Sequence, residues 1–309
     1  MEKAKVEILL ALYNGEKYLE EMIKSILAQS YENWVLKICD DFSTDNSLEI
    51  AKAFEKKYPD KIFVSQNEKP SGSAVANFSG LLKNAANEYI MFADQDDIWL
   101  SDKILTTLEA MQRAETDKNI PILVHSDLSV VDEDLNEIAP SFFNLQGLKK
   151  ELSFNEILVQ NNITGCTAMI NRALCDLAKS SIEKSAMHDW WLGILALSMG
   201  KVVFIDKPLI KYRQHNDNSR GARNSKSPSY ILKRAKEKND AKNMLSLGYK
   251  QAKLLLDMHS GSLDEKCRKS ANLYASLLQA SKLKKWLIIF KFGFWKTGII
   301  RRIGQLLYC

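Results

Sequence analysis

Three carboxylates within four residues are the first candidates for chemistry in this 309-residue sequence. Asp94, Asp96 and Asp97 follow the apolar run Tyr89–Ala93, which predicts a short buried strand. Carboxylates this close together repel one another unless they are solvated or share a cation. Mg²⁺ and Mn²⁺ prefer oxygen ligands, usually one or two carboxylates together with substrate phosphates. The cluster therefore predicts either a divalent metal site that grips a diphosphate or an acidic turn that caps the next helix.

The elements that must position this cluster alternate between strand and helix along residues 1–135. The predicted strands are Val6–Leu10, Trp34–Cys39, Ile62–Ser65, Tyr89–Ala93 and Ile122–His125. The predicted helices are Lys17–Gln29, Ser47–Tyr58, Val75–Ala86 and Asp102–Ala114. Such a βαβ series predicts an α/β fold with a mostly parallel sheet and helices on both faces. No G-x-G-x-x-G follows the first strand, which argues against a dinucleotide-binding dehydrogenase.

Polar clusters also follow the earlier strands. ALYNGE follows the first strand, DDFSTDNS follows the second, and KPSGS follows the third. Each of these loops alone fits an ordinary turn or a helix cap. Because the carboxyl ends of parallel strands meet at one edge, where open sheets bind ligands, their recurrence predicts a nucleotide at that edge.

Charge divides the chain into two regions. Residues 221–309 hold 19 Lys and Arg against 5 Asp and Glu, a net charge of +14, whereas residues 1–220 carry −9. The segment near 282–308 mixes basic residues with Trp, Phe and Ile, and its uncharged runs are too short to span a bilayer. It predicts an amphipathic helix on an anionic membrane surface, or else a helix packed on the body with a solvated basic face. No recognition motif accompanies the charge, so we expect no nucleic-acid partner.

Composition predicts an ordinary globular protein, with 46% hydrophobic and 26% charged residues. Five scattered cysteines without a C-x-x-C pair predict reduced thiols in a cytoplasmic protein, and the N-terminus does not read as a signal peptide. We expect residues 1–220 to form the α/β domain and 221–309 a helical C-terminal region. The polar stretch 216–229 predicts a linker between them.

The ordered set ALYNGE, DDFSTDNS, SGSAVANFSGL and YIMFADQDDIW resembles the inverting family-2 glycosyltransferases, which have the GT-A fold. The resemblance covers roughly residues 4–215, and the acidic cluster corresponds to the D-x-D motif of that family. FADQDDIW, HDWW and YRQH are most similar to bacterial rhamnosyltransferases of cell-wall and O-antigen polysaccharides. One departure is Ala76, where many relatives carry Arg before the residue equivalent to Asn77. A contact to the donor phosphates or sugar is then missing or supplied elsewhere.

The resemblance implies a nucleotide-sugar site within residues 1–135. The residues that it places against the donor are Leu12, Tyr13, Glu16, Asp41, Asn77 and Asp94. Asp41 would accept a hydrogen bond from the pyrimidine N3–H, which favours uracil or thymine over cytosine. Asp94 would contact the ribose and approach a Mg²⁺ or Mn²⁺ ion, Asp96 would bind that ion, and Asp97 would lie behind them.

The resemblance places the acceptor side in residues 136–220. Asp189, in HDWW, is implied to be the general base that deprotonates the acceptor hydroxyl. The flat rings of Trp99, Trp190 and Trp191 could stack on sugars. The alternative for HDWW is a helix cap followed by two core tryptophans. Within YRQH, Arg213 is expected to meet the diphosphate and His215 to be a third metal ligand.

Together these inferences predict a metal-dependent glycosyltransferase, most similar to enzymes that transfer rhamnose from dTDP-rhamnose with inversion. The expected acceptor is a saccharide on a polyprenyl lipid, so the protein would lie peripherally on the inner face of the cell membrane. The alternatives are a UDP-hexose-dependent glycosyltransferase, a sugar nucleotidyltransferase and a non-catalytic membrane-docking module. ALYNGE lacks the Gly-rich, basic loop that a nucleotidyltransferase needs.

Overall fold

The computed structural model describes residues 4–215 and 238–309. The predicted linker at 216–229 and the predicted domain boundary at 220 lie outside this range. The strands are β1 (Val6–Leu12), β2 (Trp34–Asp40), β3 (Ile62–Gln66), β4 (Tyr89–Ala93), β5 (Ile98–Trp99), β6 (Ile122–Val131), β7 (Glu137–Ala139), β8 (Met169–Asn171) and β9 (Lys201–Arg213). In the described part of the chain they form one nine-stranded sheet in the order β3-β2-β1-β4-β8-β6-β9-β5, with β7 beside β6.

The sheet is mostly parallel, as the βαβ series predicts. Strands β1, β2, β3 and β4 are parallel neighbours. Because β8 is antiparallel to both β4 and β6, β6 points in the direction of β4, and β9 runs parallel to β6. The short strands β5, β7 and β8 run the opposite way. The carboxyl ends of β1, β2 and β4 therefore meet at one edge.

Helices cover both faces of the sheet. Those of the body are α1 (Leu19–Leu27), α2 (Ser47–Lys57), α3 (Ala74–Lys83), α4 (Lys103–Ala114), α5 (Phe142–Gln146), α6 (Phe154–Val159), α7 (Arg172–Ala178) and α8 (His188–Met199). Successive residues of a strand point to opposite faces. Accordingly Leu9 joins the cluster with α3 and α8, whereas Ile8 and Leu10 join the cluster with α1 and α4.

Four C-terminal helices pack on the body and extend its core. They are α9 (Lys238–His259), α10 (Glu265–Ser276), α11 (Lys282–Phe292) and α12 (Ile299–Tyr308). Leu245, Tyr274, Ile289 and Phe294 are buried in the same hydrophobic cluster as Trp190 of α8. Helix α8 is buried nearly all round, packed against β6 and β9 of the sheet and against α6 and α7. No helix in 4–215 or 238–309 is long and apolar enough to cross a membrane.

The segment predicted as one amphipathic helix near 282–308 is two helices. Helix α11 ends at Gly293, which adopts a left-handed conformation with φ of 71° that favours glycine. Asn155 Nδ2 donates to the carbonyl of Phe292 at 2.7 Å, and Thr297 N donates to Gln160 Oε1 at 3.0 Å. Both helices are therefore fixed to the body by hydrogen bonds as well as by apolar contacts.

Candidate active site at the carboxyl edge of the sheet

A cleft of about 460 Å³ opens where β1, β2 and β4 end. Its lining residues come from the loops that the sequence predicts to meet at this edge, together with β9. They are Ala11, Tyr13, Asp41, Pro70, Gly72, Ser73, Ala74, Asn77, Phe78, Asp94, Gln95, Asp96 and Tyr212. The predicted donor residues Tyr13, Asp41, Asn77 and Asp94 are thus brought together. Loops that are separate in sequence form one site because all six co-directional strands end at the same edge.

Asp41 forms one end of the cleft and is firmly hydrogen-bonded. Its Oδ1 accepts from the Ser71 amide at 2.6 Å and from Asn67 Nδ2 at 2.8 Å, and its Oδ2 accepts from Ser71 Oγ at 2.7 Å. Burial opposes ionisation, but these hydrogen bonds outweigh it and lower the pKa of Asp41. The side chain is therefore an anionic acceptor held in a fixed orientation.

The loops after β1 and β2 are tied to each other. Asn14 N donates to Ser43 Oγ at 2.9 Å, and Thr44 N donates to Asn14 Oδ1 at 2.8 Å. Glu16 Oε2 accepts from the amide and the side chain of Asn46 at 2.9 and 2.7 Å. The carboxylate of Glu16, predicted to hold the donor, thus joins the two loops and does not line the cleft.

Two other predicted donor residues, Leu12 and Asn77, hold the strands and α3 in place around the cleft. The Leu12 side chain is fully buried, so the prediction that it contacts the base is wrong for the side chain. The carbonyl of Leu12 accepts from the Asp41 amide at 2.8 Å. The Asn77 amide group donates to the Cys39 carbonyl at 3.0 Å, which fixes α3 against β2. Both residues therefore position Asp41 and the wall of the cleft.

The N-terminus of α3 forms one wall of the cleft. Ser73 caps this ten-residue helix by accepting from the Ala76 amide, and Gly72 before it has φ of 80°. Backbone amides at a helix N-terminus carry a partial positive charge that favours phosphate groups. The wall can therefore contact a diphosphate although Ala76 stands where many relatives carry Arg.

Gln95 is a residue of the site that sequence reasoning missed. It lies between the two metal-binding candidates Asp94 and Asp96, and its amide group pairs twice with Tyr13. Tyr13 N donates to Gln95 Oε1 and Gln95 Nε2 donates to the Tyr13 carbonyl, each at 2.9 Å. A Cβ atom on Gly15 would lie 2.6 Å from the Gln95 side chain, so this contact requires a glycine there. Gln95 therefore joins the first loop to the acidic cluster.

The acidic cluster forms the other end of the cleft. Burial, followed by the charges of Asp96 and Asp189, raises the pKa of Asp94 to about 7. His215 Nε2 lies 2.8 Å from Asp96 Oδ2, so β9 brings this predicted ligand to the cluster. Mutual repulsion among carboxylates is relieved when a cation binds between them. Asp94 and Asp96, which both line the cleft, thus offer the hard oxygen donors that suit Mg²⁺ or Mn²⁺.

Asp97 is fully buried behind the cleft, as predicted, and lies near the Cys166 thiol. Ligand atoms of Asp94, Asp97 and Cys166 lie within 4.8 Å of one another. Burial, followed by the charges of Asp97 and Asp94, raises the pKa of the Cys166 thiol well above its usual value. A protonated thiol is a poor ligand for a hard cation. These observations favour Asp94 and Asp96 over the Asp97–Cys166 group as holders of a divalent metal.

Asp189 lies in the first turn of α8, beside the acidic cluster. Its Oδ1 accepts from the Trp190 amide at 2.6 Å, and its charge contributes to the raised pKa of Asp94. The neighbouring His188 ring packs on Phe78 and Phe92 at centroid distances of 4.3 and 5.4 Å, and burial lowers the pKa of His188. Between these two neighbours, the carboxylate is thus the better candidate for a base.

Comparison with known proteins identifies the family. The model of glycosyl transferase family 2 matches residues 7–177. A dTDP-rhamnosyl transferase, RfbG of Shigella flexneri, is 31% identical over 238 residues, which cover 72% of this chain and 76% of RfbG. The chain belongs to glycosyl transferase family 2. The UDP-Glc:alpha-D-GlcNAc-diphosphoundecaprenol beta-1,3-glucosyltransferase WfgD of Escherichia coli is 29% identical over 190 residues, which cover 62% of this chain and 69% of WfgD.

Solved structures confirm the GT-A fold. The mannosyltransferase PcManGT of Pyrobaculum calidifontis, in complex with GDP-Man and Mn²⁺, superposes with a TM-score of 0.55 at 15% identity. The match covers all of this chain and 85% of PcManGT. Residues 1–349 of S. aureus TarS, in complex with UDP-GlcNAc, give a TM-score of 0.53 at 16% identity, covering 98% of this chain and 89% of that fragment.

The family-2 resemblance led to a wrong prediction for three tryptophans. The side chains of Trp99, Trp190 and Trp191 are only 3, 1 and 0% exposed, so they cannot stack on an acceptor sugar. Trp190 Nε1 donates to the Ile157 carbonyl, and Trp191 Nε1 donates to Ser181 Oγ. The two tryptophans after Asp189 are therefore core residues that anchor α8. The alternative for HDWW, a capped helix with two core tryptophans, is correct for their side chains.

Arg213 is likewise turned away from the cleft. Its guanidinium donates to the Asp96 carbonyl at 3.0 Å, to the Glu21 carboxylate at 2.6 Å and to the Glu133 carbonyl. Arg213 is 2% exposed and does not line the cleft, so the guanidinium does not face the place predicted for the diphosphate. Arg213 instead fixes the backbone of the acidic loop that carries Asp96.

Proposed function

We propose that this chain is a metal-dependent, inverting glycosyltransferase that moves a sugar from a nucleoside diphosphate to a hydroxyl group of an acceptor. The observation that carries the proposal is the arrangement of carboxylates around one cleft. Hydrogen-bonded Asp41 lines one end, Asp94 and Asp96 line the other, and Asp189 lies close enough to Asp94 for its charge to help raise the pKa of that carboxyl group. The Asp41 end suits the nucleobase of the donor, and the acidic end suits the diphosphate and the attacking hydroxyl group.

Asp189 is the general base of the proposed reaction. As the acceptor oxygen attacks the anomeric carbon, its proton passes to the Asp189 carboxylate. The new carbon–oxygen bond forms on the face of the anomeric carbon opposite the diphosphate. The bond between the anomeric carbon and the diphosphate oxygen breaks, and its electron pair leaves with the diphosphate. This single displacement inverts the anomeric centre and needs no second carboxylate as nucleophile.

The leaving diphosphate is held by groups at the cleft wall and the acidic cluster. The backbone amides at the start of α3 face the cleft and favour the phosphate oxygens. Asp94 and Asp96 would hold a Mg²⁺ or Mn²⁺ ion, which would neutralise the charge that develops on the leaving diphosphate. His215, 2.8 Å from Asp96, keeps that carboxylate oriented or joins it as a ligand.

The proposed donor is dTDP-rhamnose. Asp41 as an anionic acceptor favours a base with a protonated N3, which includes thymine and uracil. The 31% identity with the dTDP-rhamnosyl transferase RfbG supports rhamnose. The second candidate is a UDP-hexose, which is supported by the likeness to the UDP-Glc-dependent WfgD.

The proposed acceptor is a lipid-linked saccharide at the inner face of the cell membrane, in the synthesis of a surface polysaccharide. The name of WfgD specifies a diphosphoundecaprenol-linked acceptor for that relative. An acceptor of this kind stays in the membrane, so the enzyme has to reach it there.

A donor screen tests the proposal. Purified protein with Mn²⁺ or Mg²⁺ is given dTDP-rhamnose, UDP-glucose, UDP-GlcNAc and GDP-mannose in turn, and release of the nucleoside diphosphate is measured. We expect the fastest release from dTDP-rhamnose, with Asp189→Asn as the inactive control. Faster release from UDP-glucose would favour the second candidate, and no release from any donor would contradict the proposed function.

A further inference from the structure

Helix α11 exposes an apolar face. Leu283, Trp286, Leu287 and Phe290 recur at spacings of three and four residues, and their side chains are 72, 36, 72 and 62% exposed. These spacings place them on one face of the helix. The outward face of a surface helix is normally polar, so this pattern is inverted.

Helix α12 repeats the pattern. Ile299, Ile300, Ile303 and Leu307 are 76, 40, 55 and 57% exposed. Of fourteen exposed large hydrophobic side chains among the described residues, eight therefore lie on α11 and α12. Clustering of this kind marks a contact surface, whereas isolated apolar residues on a surface do not.

The two exposed faces form one surface because the helices are joined. Trp286 Nε1 donates to the Leu306 carbonyl at 2.9 Å, and Lys282 Nζ donates to the Leu307 carbonyl at 3.1 Å. Helix α11 is docked on the body through the buried Ile289, and α12 is held to it by Arg301, which donates to the Gln146 carbonyl. We call the eight exposed side chains of α11 and α12 the apolar face.

Basic residues border the apolar face. From residue 282 to the end the sequence has seven Lys and Arg residues and no acid, namely Lys282, Lys284, Lys285, Lys291, Lys296, Arg301 and Arg302. Lys284, Lys291 and Arg302 are exposed. A second copy of the chain would bring like charges together, whereas an anionic lipid surface complements both the charge and the apolar side chains.

We propose that the apolar face binds the surface of an anionic membrane, with its side chains at the boundary between headgroups and acyl chains. Helices of 11 and 10 residues, at 1.5 Å per residue, are shorter than a bilayer core and lie in its interface. This inference deepens the proposed function and, for the identity of the acceptor, rests on it. The basic residues supply an attraction that salt weakens, and the apolar residues supply one that it does not.

A short chain of contacts connects this surface to the cleft. Arg301 of α12 donates to the Gln146 carbonyl at the end of α5 at 2.6 Å. At the start of α5, the Phe142 ring meets the ring of Tyr212 edge-on at a centroid distance of 6.2 Å. Tyr212 lines the cleft. A five-residue helix thus separates the two, so a membrane on α12 would lie near the cleft.

The experiment is sedimentation of the full chain with vesicles of phosphatidylcholine alone and of phosphatidylcholine mixed with phosphatidylglycerol. We expect about tenfold or more tighter binding to the anionic vesicles at low salt. The double variant Leu287→Ser/Phe290→Ser should bind them at least about tenfold more weakly, since two large apolar groups are lost. Lys284→Gln/Lys291→Gln should lower the preference for anionic lipid by about tenfold or more.

Phe63→Ser is the matched control, because Phe63 is 44% exposed on β3 and lies outside the apolar face. It should bind vesicles like the unaltered protein. Equal binding by the Leu287→Ser/Phe290→Ser protein, or a dimer that this variant dissociates, would overturn the inference. Release of nucleotide from donor in solution is measured in parallel. Vesicle binding without donor turnover contradicts the proposed function alone, and turnover without vesicle binding contradicts the membrane surface alone.

Discussion

The two ends of the cleft differ in how their carboxylates are compensated. Asp41 accepts three hydrogen bonds from Ser71 and Asn67, and its pKa is lowered. Asp94 stands beside two further carboxylates, and its pKa is raised to about 7. At the Asp41 end the carboxylate is already stabilised by hydrogen bonds within the protein. At the Asp94 end, repulsion among the carboxylates is relieved when a cation or a proton is added.

This difference fits the tasks proposed for the two ends. Recognition of a nucleobase needs a hydrogen-bond acceptor in a fixed position, and hydrogen bonds within the protein fix Asp41. Stabilisation of a leaving diphosphate needs a site that gains energy as charge arrives. Substitutions that change one end at a time should therefore have separable effects on turnover and on stability.

Asp96→Asn tests the acidic end of the cleft directly. We expect the variant to fold and to lose turnover by on the order of 10³-fold or more, because a metal at this site offsets several kcal/mol of developing charge. EDTA should have the same effect on the unaltered protein, and Mn²⁺ binding measured by electron paramagnetic resonance should be lost in the variant. Asp60→Asn, at an exposed acid far from the cleft, is the control. Full turnover in EDTA would rule out the metal.

Asp189→Asn tests the base. Turnover should fall by about 10²–10⁴-fold, the range for a positioned general base, while donor affinity changes little. Single-turnover kinetics and donor titration separate the two quantities. Asp257→Asn, on the exposed side of α9, serves as the matched control. Loss of donor affinity with normal turnover of bound donor would make Asp189 a binding residue.

Stability should respond with opposite signs at the two ends. Asp41→Asn should lower the free energy of unfolding by about 1–3 kcal/mol, since buried donors lose their anionic partner. Asp94→Asn, in EDTA, should raise it by roughly 1–3 kcal/mol at pH 8. The ordinary pKa of the Asp94 carboxyl group is 3.8, and in the folded protein it is about 7. The protonated form therefore stabilises the folded protein fully below about pH 4, and this stabilisation is lost as the pH rises through about 7.

Urea unfolding at pH 4.5 and pH 8 measures this contrast. The gain from Asp94→Asn should shrink at the lower pH, where the folded protein already carries the proton. A gain that is equal at both values would mean that repulsion among the carboxylates does not destabilise this end.

The sequence predicted the N-terminal half of the fold well because its signals are local. Periodic apolar residues locate α1 and α4, and the strand predicted at Val6–Leu10 is β1, Val6–Leu12. The polar loops after β1, β2 and β4 meet because the strands are parallel. No equivalent local signal marks β5 and β7, which have two and three residues and depend on their neighbours for pairing.

Side-chain direction was harder to predict than position. Trp190 and Trp191 are on a helix, but α8 is packed against α6 and α7 as well as the sheet, and Trp191 also contacts His259 of α9. Arg213 is the last residue of β9, and its partners Glu21 and Glu133 are remote in sequence. Gln95 could have been found, since an amide between two clustered carboxylates has few partners other than the facing loop. Such contacts depend on tertiary packing and leave little trace in a local pattern.

Arg213 also affects local unfolding of the site. One guanidinium holds α1 through Glu21, the acidic loop through the Asp96 carbonyl and the turn after β6 through the Glu133 carbonyl. It also lies 4.5 Å from the centre of the Tyr18 ring. Because these segments share one buried anchor, local opening of any of them exposes the same charge. In hydrogen-exchange terms, we expect the amides around the acidic edge of the cleft to belong to one cooperative unit that opens and closes together.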